Sequence, residues 1–207
     1  VDLICHGTPS PKLLEMFLED YHLSLKKIKD IRFRKKAVFH VYQAYEGIVP
    51  EIVQDTYIFS FMHCLDYTEG CYNCKYARKE RMGDITLGDS WGSTLPEEEQ
   101  KKGVSLLLCQ TEKGKEMLDA SGLHLEDVDV ELALENNHQL RHPSVAPKER
   151  EKFFAMIKQT KSFNKAIAHC YPKFYYKQKI KLLLVKLHLI GGGISNMDSM
   201  LENDGDE

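Results

Sequence analysis

Two cysteines three positions apart, Cys71 and Cys74, interrupt a polar segment that separates an aromatic stretch at helical spacing from an alternating strand. A Cys-x-x-Cys spacing lets both sulfurs turn toward one centre, whether zinc, an iron–sulfur cluster or a redox disulfide, so it fixes the path of the loop that carries it. The spacing alone does not choose among the three. A zinc site needs two further Cys or His, commonly from a second pair, and no second pair is present. A thioredoxin-like dithiol stands at a helix N-terminus after a strand, whereas this pair follows a helical stretch. The cysteines left to complete a tetrathiolate set are Cys5, Cys64, Cys109 and Cys170. Cys5 ends an apolar run that faces a Gly7-Thr8-Pro9 turn, where ligands are often offered. Cys64 follows His63 on an aromatic helical face, where a buried inert thiol is the alternative. Cys109 and Cys170 read as core or surface cysteines.

The pattern around the pair is one of short strands and helices. Val1 to Cys5 reads as a short buried strand, and a chain opening inside a strand suggests a fragment whose preceding segment is missing. Ser10 and Pro11 then suit the cap and first position of a helix with Leu13, Leu14, Phe17, Leu18 and Tyr21 on one face. Strand-like runs follow at Ile28 to Phe33 and Val38 to Tyr45, a plausible hairpin. Asp55 to Leu65 has helical spacing, 66–83 is loop-like, and Asp84 to Asp89 alternates as a half-buried strand. Val104 to Cys109 is a further strand, and Thr111 caps a helix running through Leu118. Glu97-Glu98-Glu99 reads as a solvated loop. Pro143 and Pro147 mark a linker before helices at Lys148 to Lys161 and Lys173 to Leu189, the latter with five lysines and no acid.

This alternation predicts an α+β (mixed α/β) fold: a core domain over 1–160, a helical C-terminal extension over 161–190 and a disordered tail over 191–207. A length of 207 residues with 43% hydrophobic side chains is enough for a core without disulfide staples. A net charge of -3 gives no chain-wide attraction to phosphate, and no nucleic-acid reading motif occurs. No apolar run approaches the ~18 residues of a transmembrane helix. Without a secretory signal, and with cysteines as one pair plus singles, a cytoplasmic setting is expected.

A second signal is Gly88-Asp89-Ser90-Trp91-Gly92 at a strand end. Glycines there let backbone approach a planar or phosphorylated ligand, and Trp91 offers a stacking surface for an isoalloxazine or a base; a tight turn with a core tryptophan is the alternative. His6, beside Cys5, is a candidate proton donor or a residue that simply bonds a turn backbone.

In order along the chain, Asp2-Leu3-Ile4-Cys5-His6-Gly7-Thr8-Pro9-Ser10-Pro11, Cys71-Tyr72-Asn73-Cys74-Lys75-Tyr76-Ala77 with Arg81, Asp84 to Gly92, and Gly103-Val104-Ser105-Leu106 through Gly114 resemble the C-terminal domain of the coenzyme F-420 hydrogenase/dehydrogenase beta-subunit family. The resemblance extends to about Phe154. It departs from the family pattern at Ser90, where an aromatic residue is usual, and at Phe33-Arg34-Lys35-Lys36.

The resemblance implies an iron–sulfur flavoprotein oxidoreductase that passes electrons between a 4Fe-4S cluster and a flavin such as FAD, or a deazaflavin. In some members the setting is surface-polysaccharide biosynthesis. Cys5, Cys71 and Cys74 match the family's cluster ligands. The family's fourth ligand comes from a Thr-Pro-Cys-Gln element, which would lie upstream of Val1, with Cys64 as a substitute. His6 and Gly7, together with Gly88, Asp89 and Trp91, would line the cofactor edge, and Arg78 and Arg81 would offset the cluster's negative charge. The expected partner is a ferredoxin or a ferredoxin-like module. A reading from a different class is a non-catalytic, zinc-stabilised binding module, whose basic Lys173 to Leu189 helix would lie on an acidic partner or a membrane surface.

Overall fold

The structure, a computed structural model, describes residues 1–191. Those residues form eight α-helices and six short strands in two three-stranded sheets, an α+β fold. The tail expected from 191 onward lies, from residue 192, outside the described residues. The chain builds two compact units, each from two separate stretches: 1–8 with 67–146, and 9–66 with the residues from 147 onward.

The first unit is organised on a sheet of order β1-β5-β6. Strand β1 (Asp2–Leu3) runs parallel to β5 (Ile85–Asp89), with Asp2 opposite Thr86 and Leu3 opposite Leu87. The Ile4 N–H extends the pairing to the Leu87 carbonyl at 2.7 Å. Antiparallel to β5 lies β6 (Ser105–Cys109), in register from Ile85 opposite Cys109 to Asp89 opposite Ser105. The opening strand is not buried as expected. Val1 is 71% and Leu3 64% exposed, because β1 is an edge strand paired on one side for only two residues. Gly88 sits on the central strand where the Ile4 side chain crosses it; a Cβ there would stand 2.7 Å from Ile4.

Three helices of this unit differ in how far their residues announce them. The expected loop at Glu97-Glu98-Glu99 is instead the start of α3 (Glu97–Lys102). It has no buried face; acids in the first turn and lysines in the last oppose the helix dipole, and Lys101 pairs with Glu97 at 2.8 Å. Helix α4 (Glu112–Asp119) follows the expected cap, Thr111 Oγ1 accepting from the Gly114 N–H at 3.1 Å. Helix α5 (Val130–Asn136), which the sequence pattern does not single out, is capped by Asp129. Its Ala133 joins Leu106 and Leu140 in a small core.

The second unit has the larger core, centred on Phe17, Leu18, Val41, Leu65, Phe153 and Phe163. Helix α1 (Pro11–Glu19) buries the expected Leu13, Leu14, Phe17 and Leu18. Ser10 occupies the cap position, yet its hydroxyl makes no cap bond; its carbonyl accepts from Leu13 at 2.9 Å. The expected hairpin is β2 (Ile31–Lys35) against β3 (Val38–Gln43), turning at Lys36 with φ 55°, and a short β4 (Glu46–Gly47) extends it. Asp55 caps α2 (Thr56–Met62) by accepting from the Ile58 N–H at 2.7 Å.

After α6 (Arg150–Thr160), the chain reverses at Lys161, φ 53°, into α7 (Phe163–Cys170), which packs on α1, α2 and α6. Pro172, which has no N–H to give to α7, starts α8 (Pro172–Lys186). Two helices therefore stand where one was expected after residue 161. Phe174 of α8 stacks on Phe59 of α2 with ring centroids 3.6 Å apart.

Candidate functional site

The Cys-x-x-Cys segment folds as a single turn of 3-10 helix, Glu69–Asn73, with Cys74 just beyond it. Its partner is the Cys5–Thr8 loop that leaves β1. Thr68 N–H donates to the Thr8 carbonyl at 3.0 Å, and Thr8 N–H returns a bond to Cys71 Sγ at 3.2 Å. The Thr68 hydroxyl lies 3.3 Å from the same sulfur. Gly7 makes this approach feasible, since a Cβ at that position would collide with the Tyr67 ring. Two loops remote in sequence are thus tied at Cys71, and the site depends on the N-terminal stretch folding onto residues 67–74.

Cys5 and Cys74 line one open cavity of about 500 Å³, with Tyr76, Met82 and Arg81 on its wall. Arg81 works as a fastener here: its guanidinium donates to the carbonyls of Arg78 at 2.8 Å, Leu3 at 3.3 Å and Gln139 at 3.5 Å. It carries a positive charge to the cavity edge while holding β1, the 78–81 turn and the 138–140 turn together. Arg78 has an exposed side chain.

His6 points to the other end of β5. Its Nδ1 lies 2.6 Å from Gln139 Nε2, and its carbonyl accepts from the Ser144 hydroxyl at 2.6 Å. With the amide donating, Nδ1 accepts, and the proton of the neutral ring resides on Nε2. Trp91 meets the ring edge-on at 6.0 Å and His138 at 5.7 Å. Burial, aided by His138 and opposed by Asp89, pushes the His6 imidazole below its ordinary value. Burial, with help from His142 and Arg141, also lowers His138. This ladder of His6, His138 and Trp91 is a largely neutral, aromatic-walled surface beside the Asp89 to Gly92 turn.

Of the residues proposed from sequence, Cys5, Cys71 and Cys74 fall on two joined loops of the first unit, and His6, Gly88, Asp89 and Trp91 fall on the same unit's sheet end. Cys64 belongs to the second unit, at a left-handed position, φ 54°, where its N–H closes α2 onto Phe61. Cys109 Sγ is engaged by the Thr111 carbonyl at 3.3 Å, and burial raises the Cys170 thiol. Gln139, Ser144 and Tyr67 carry no sequence signal that singles them out. Gln139 is almost wholly buried yet sits in a stretch without periodicity, so no pattern marks it.

The donors decide whether a metal group fits. Among the described residues, no three His, Cys, Asp or Glu side chains stand close enough together to hold a metal ion. Cys5 and Cys74 share the cavity, while the sulfur of Cys71 is held by Thr8 and Thr68. A cubane cluster takes four thiolates. Two thiols on one cavity, with a third held beside it by Thr8 and Thr68, fall short of that number.

Strand β1 pairs in parallel with the strand that leads into Gly88-Asp89-Ser90-Trp91-Gly92, and the loop leaving β1 is tied to the Cys-x-x-Cys turn. Residues 1–130 match the family described as the C terminus of the coenzyme F-420 hydrogenase/dehydrogenase beta subunit, and the chain belongs to that family. Membership points to a redox role with partner subunits and to cofactors of the iron–sulfur and flavin type. No curated protein and no solved structure matches the chain. No helix of the described residues is long and apolar enough to cross a membrane.

Proposed function

We propose that the chain is the thiol-bearing part of an iron–sulfur flavoprotein oxidoreductase that passes electrons between a 4Fe-4S cluster and a flavin or deazaflavin. Cys5, Cys71 and Cys74 are its contribution to the cluster, and the fourth thiolate comes from Cys64 or from a segment upstream of Val1. The observation that supports this most is the pairing of Cys5 and Cys74 on one cavity, with a backbone N–H already donated to Cys71 Sγ. Ligation takes a deprotonated sulfur, and a metal-bound sulfur can keep a backbone N–H bond of this kind. A cluster exchanges one electron at a time, and a flavin converts this to two-electron chemistry. This chain's residues supply the setting: Arg81 brings positive charge to the thiol cavity, and Trp91 with neutral His6 offers a flat, weakly polar wall.

Anaerobic iron and sulfide reconstitution of the protein with its upstream segment, followed by paramagnetic resonance after reduction, tests the reading. A cluster signal that is lost in Cys71→Ala and Cys74→Ala is expected. Stoichiometric zinc without iron in anaerobically purified protein would overturn it in favour of a zinc-stabilised module.

A further inference from the structure

The longest basic stretch of the chain has an outward-facing apolar row. From Lys152 to Met197 there are nine lysines and no acid, although the whole chain has net charge -3. Within it, α8 turns Phe174 and Gln178 inward: Phe174 stacks on Phe59, and buried Gln178 accepts from the Gln54 N–H at 3.1 Å. The opposite face carries Tyr176, Ile180, Leu183 and Leu187, at i, i+4, i+7 and i+11. These side chains are 62%, 59%, 55% and 56% exposed. Residues at that spacing line up on one helix face over roughly 16 Å. Exposed Lys173 and Lys177 flank the row on one side, and exposed Lys179 and Lys186 on the other. The helix is thus apolar on two opposite faces, one buried in its own unit and one bare.

We infer that the outer face of α8 docks on an anionic lipid surface, with Ile180, Leu183 and Leu187 entering the acyl boundary and the four lysines reaching the phosphates. The charge pattern selects this occupant. A second copy would set lysine rows against lysine rows with no acid on α8 to answer them. A bilayer with anionic headgroups offers both an apolar interior for the row and negative charge on either side, which long lysine stems can reach while their methylenes stay in the apolar layer. Tyr176, apolar in its ring and polar at its hydroxyl, suits the headgroup level. The helix is too short and too basic to span a membrane, so the contact is peripheral.

Sedimentation of the full chain with vesicles tests this. Vesicles containing phosphatidylglycerol are expected to carry the protein down, less so as salt rises, whereas pure phosphatidylcholine vesicles leave it in solution. Lys177→Gln and Lys179→Gln should each lower partitioning by about fivefold, the equivalent of about 1 kcal/mol per surface lysine. Ile180→Ser with Leu183→Ser should abolish binding with an unchanged melting curve, because both side chains are already more than half exposed. Failure to bind anionic vesicles overturns the inference, as does binding that these variants leave intact. Residues 192–207 carry five acids and no base. If only a chain ending at Gly191 binds vesicles, the row belongs to that acidic segment and the lipid assignment falls.

Discussion

His40 Nδ1 lies 3.0 Å from Asp55 Oδ2, with both side chains buried. The same carboxylate accepts the Val41 N–H at 3.1 Å and caps α2 at Ile58, while His40 Nε2 reaches the Val49 carbonyl at 2.8 Å. Burial raises the Asp55 carboxyl, and His40 and the backbone donors pull against that rise. Asp55 thus joins the hairpin to the helix start and, through His40, to residues 48–50. Removing it strands a buried imidazole and several donors. Asp55→Ala is expected to cost about 3–5 kcal/mol, the range for breaking a buried pair, in urea unfolding at neutral pH. A loss below about 1 kcal/mol, the worth of an ordinary cap, would show that the pair contributes little.

Asp66 gives the second unit a pH dependence of opposite sign to the usual acid response. Its carboxyl is buried beside the Ser60 hydroxyl with neither oxygen in a formed hydrogen bond, and burial pushes it up to about 7 despite Arg150 nearby. The folded protein therefore holds a proton that the unfolded chain, titrating near 4, has released. Stability from this group is full below about pH 4, falls as pH rises to about 7 and is level above that, a loss on the order of a few kcal/mol. Asp66→Asn should remove the slope and leave the variant the more stable at pH 8. Denaturant midpoints at pH 5.5 and 8 for both proteins check this, and parallel slopes would count against it.

The Gln139 amide is expected to set the state of His6. In the native protein, the His6 ring should titrate below the ordinary histidine value, followed by its proton and nitrogen resonances. Gln139→Glu puts a carboxylate where the amide stands 2.6 Å from Nδ1, and an opposite charge at that range favours the imidazolium, so the titration should move upward. Native His6 titrating at or above the ordinary value would show that burial does not govern it.

Gly7→Ala should be poorly tolerated because the new Cβ meets the Tyr67 ring, which is fully buried. A destabilisation of about 1–3 kcal/mol is expected from this overpacking. The loop would also have to move away from residues 67–74, so alkylation of Cys71 should become faster than in the parent protein. Unchanged thiol reactivity would mean that the Thr8 contact survives the clash.

Elements with two independent local signals were legible in the sequence. Pro11 and the apolar face of Leu13, Phe17 and Leu18 marked α1; Thr111 and the strand before it marked α4. The Cys71 and Cys74 pair marked the loop that bonds Thr8. What escaped had either no apolar face or no contrast with its neighbours. Helix α3 is rich in Glu and Lys, and its stability is carried by charge pairs that composition reads as loop. Helix α7 buries Phe163, Ala166 and Ile167 but follows α6 after a two-residue turn at Lys161, so the two stretches blur. The exposure of Leu3 was invisible because a strand's place at a sheet edge is set by partners eighty-odd residues away. Gln139 stands out only once the fold brings it to His6, 133 residues earlier in the chain.

The interleaving of the two units has a consequence for synthesis. Asp2 leaves the ribosome well before its strand partner Thr86 and the β6 strand beyond it, and α1 waits longer still for the Phe153 and Phe163 side chains that cover it. Neither unit can close on an N-terminal portion of the chain alone, and pairings between such distant residues form slowly. The nascent chain would therefore carry α1 uncovered until residues 153–163 have been made, a stretch in which chaperone binding would be decided.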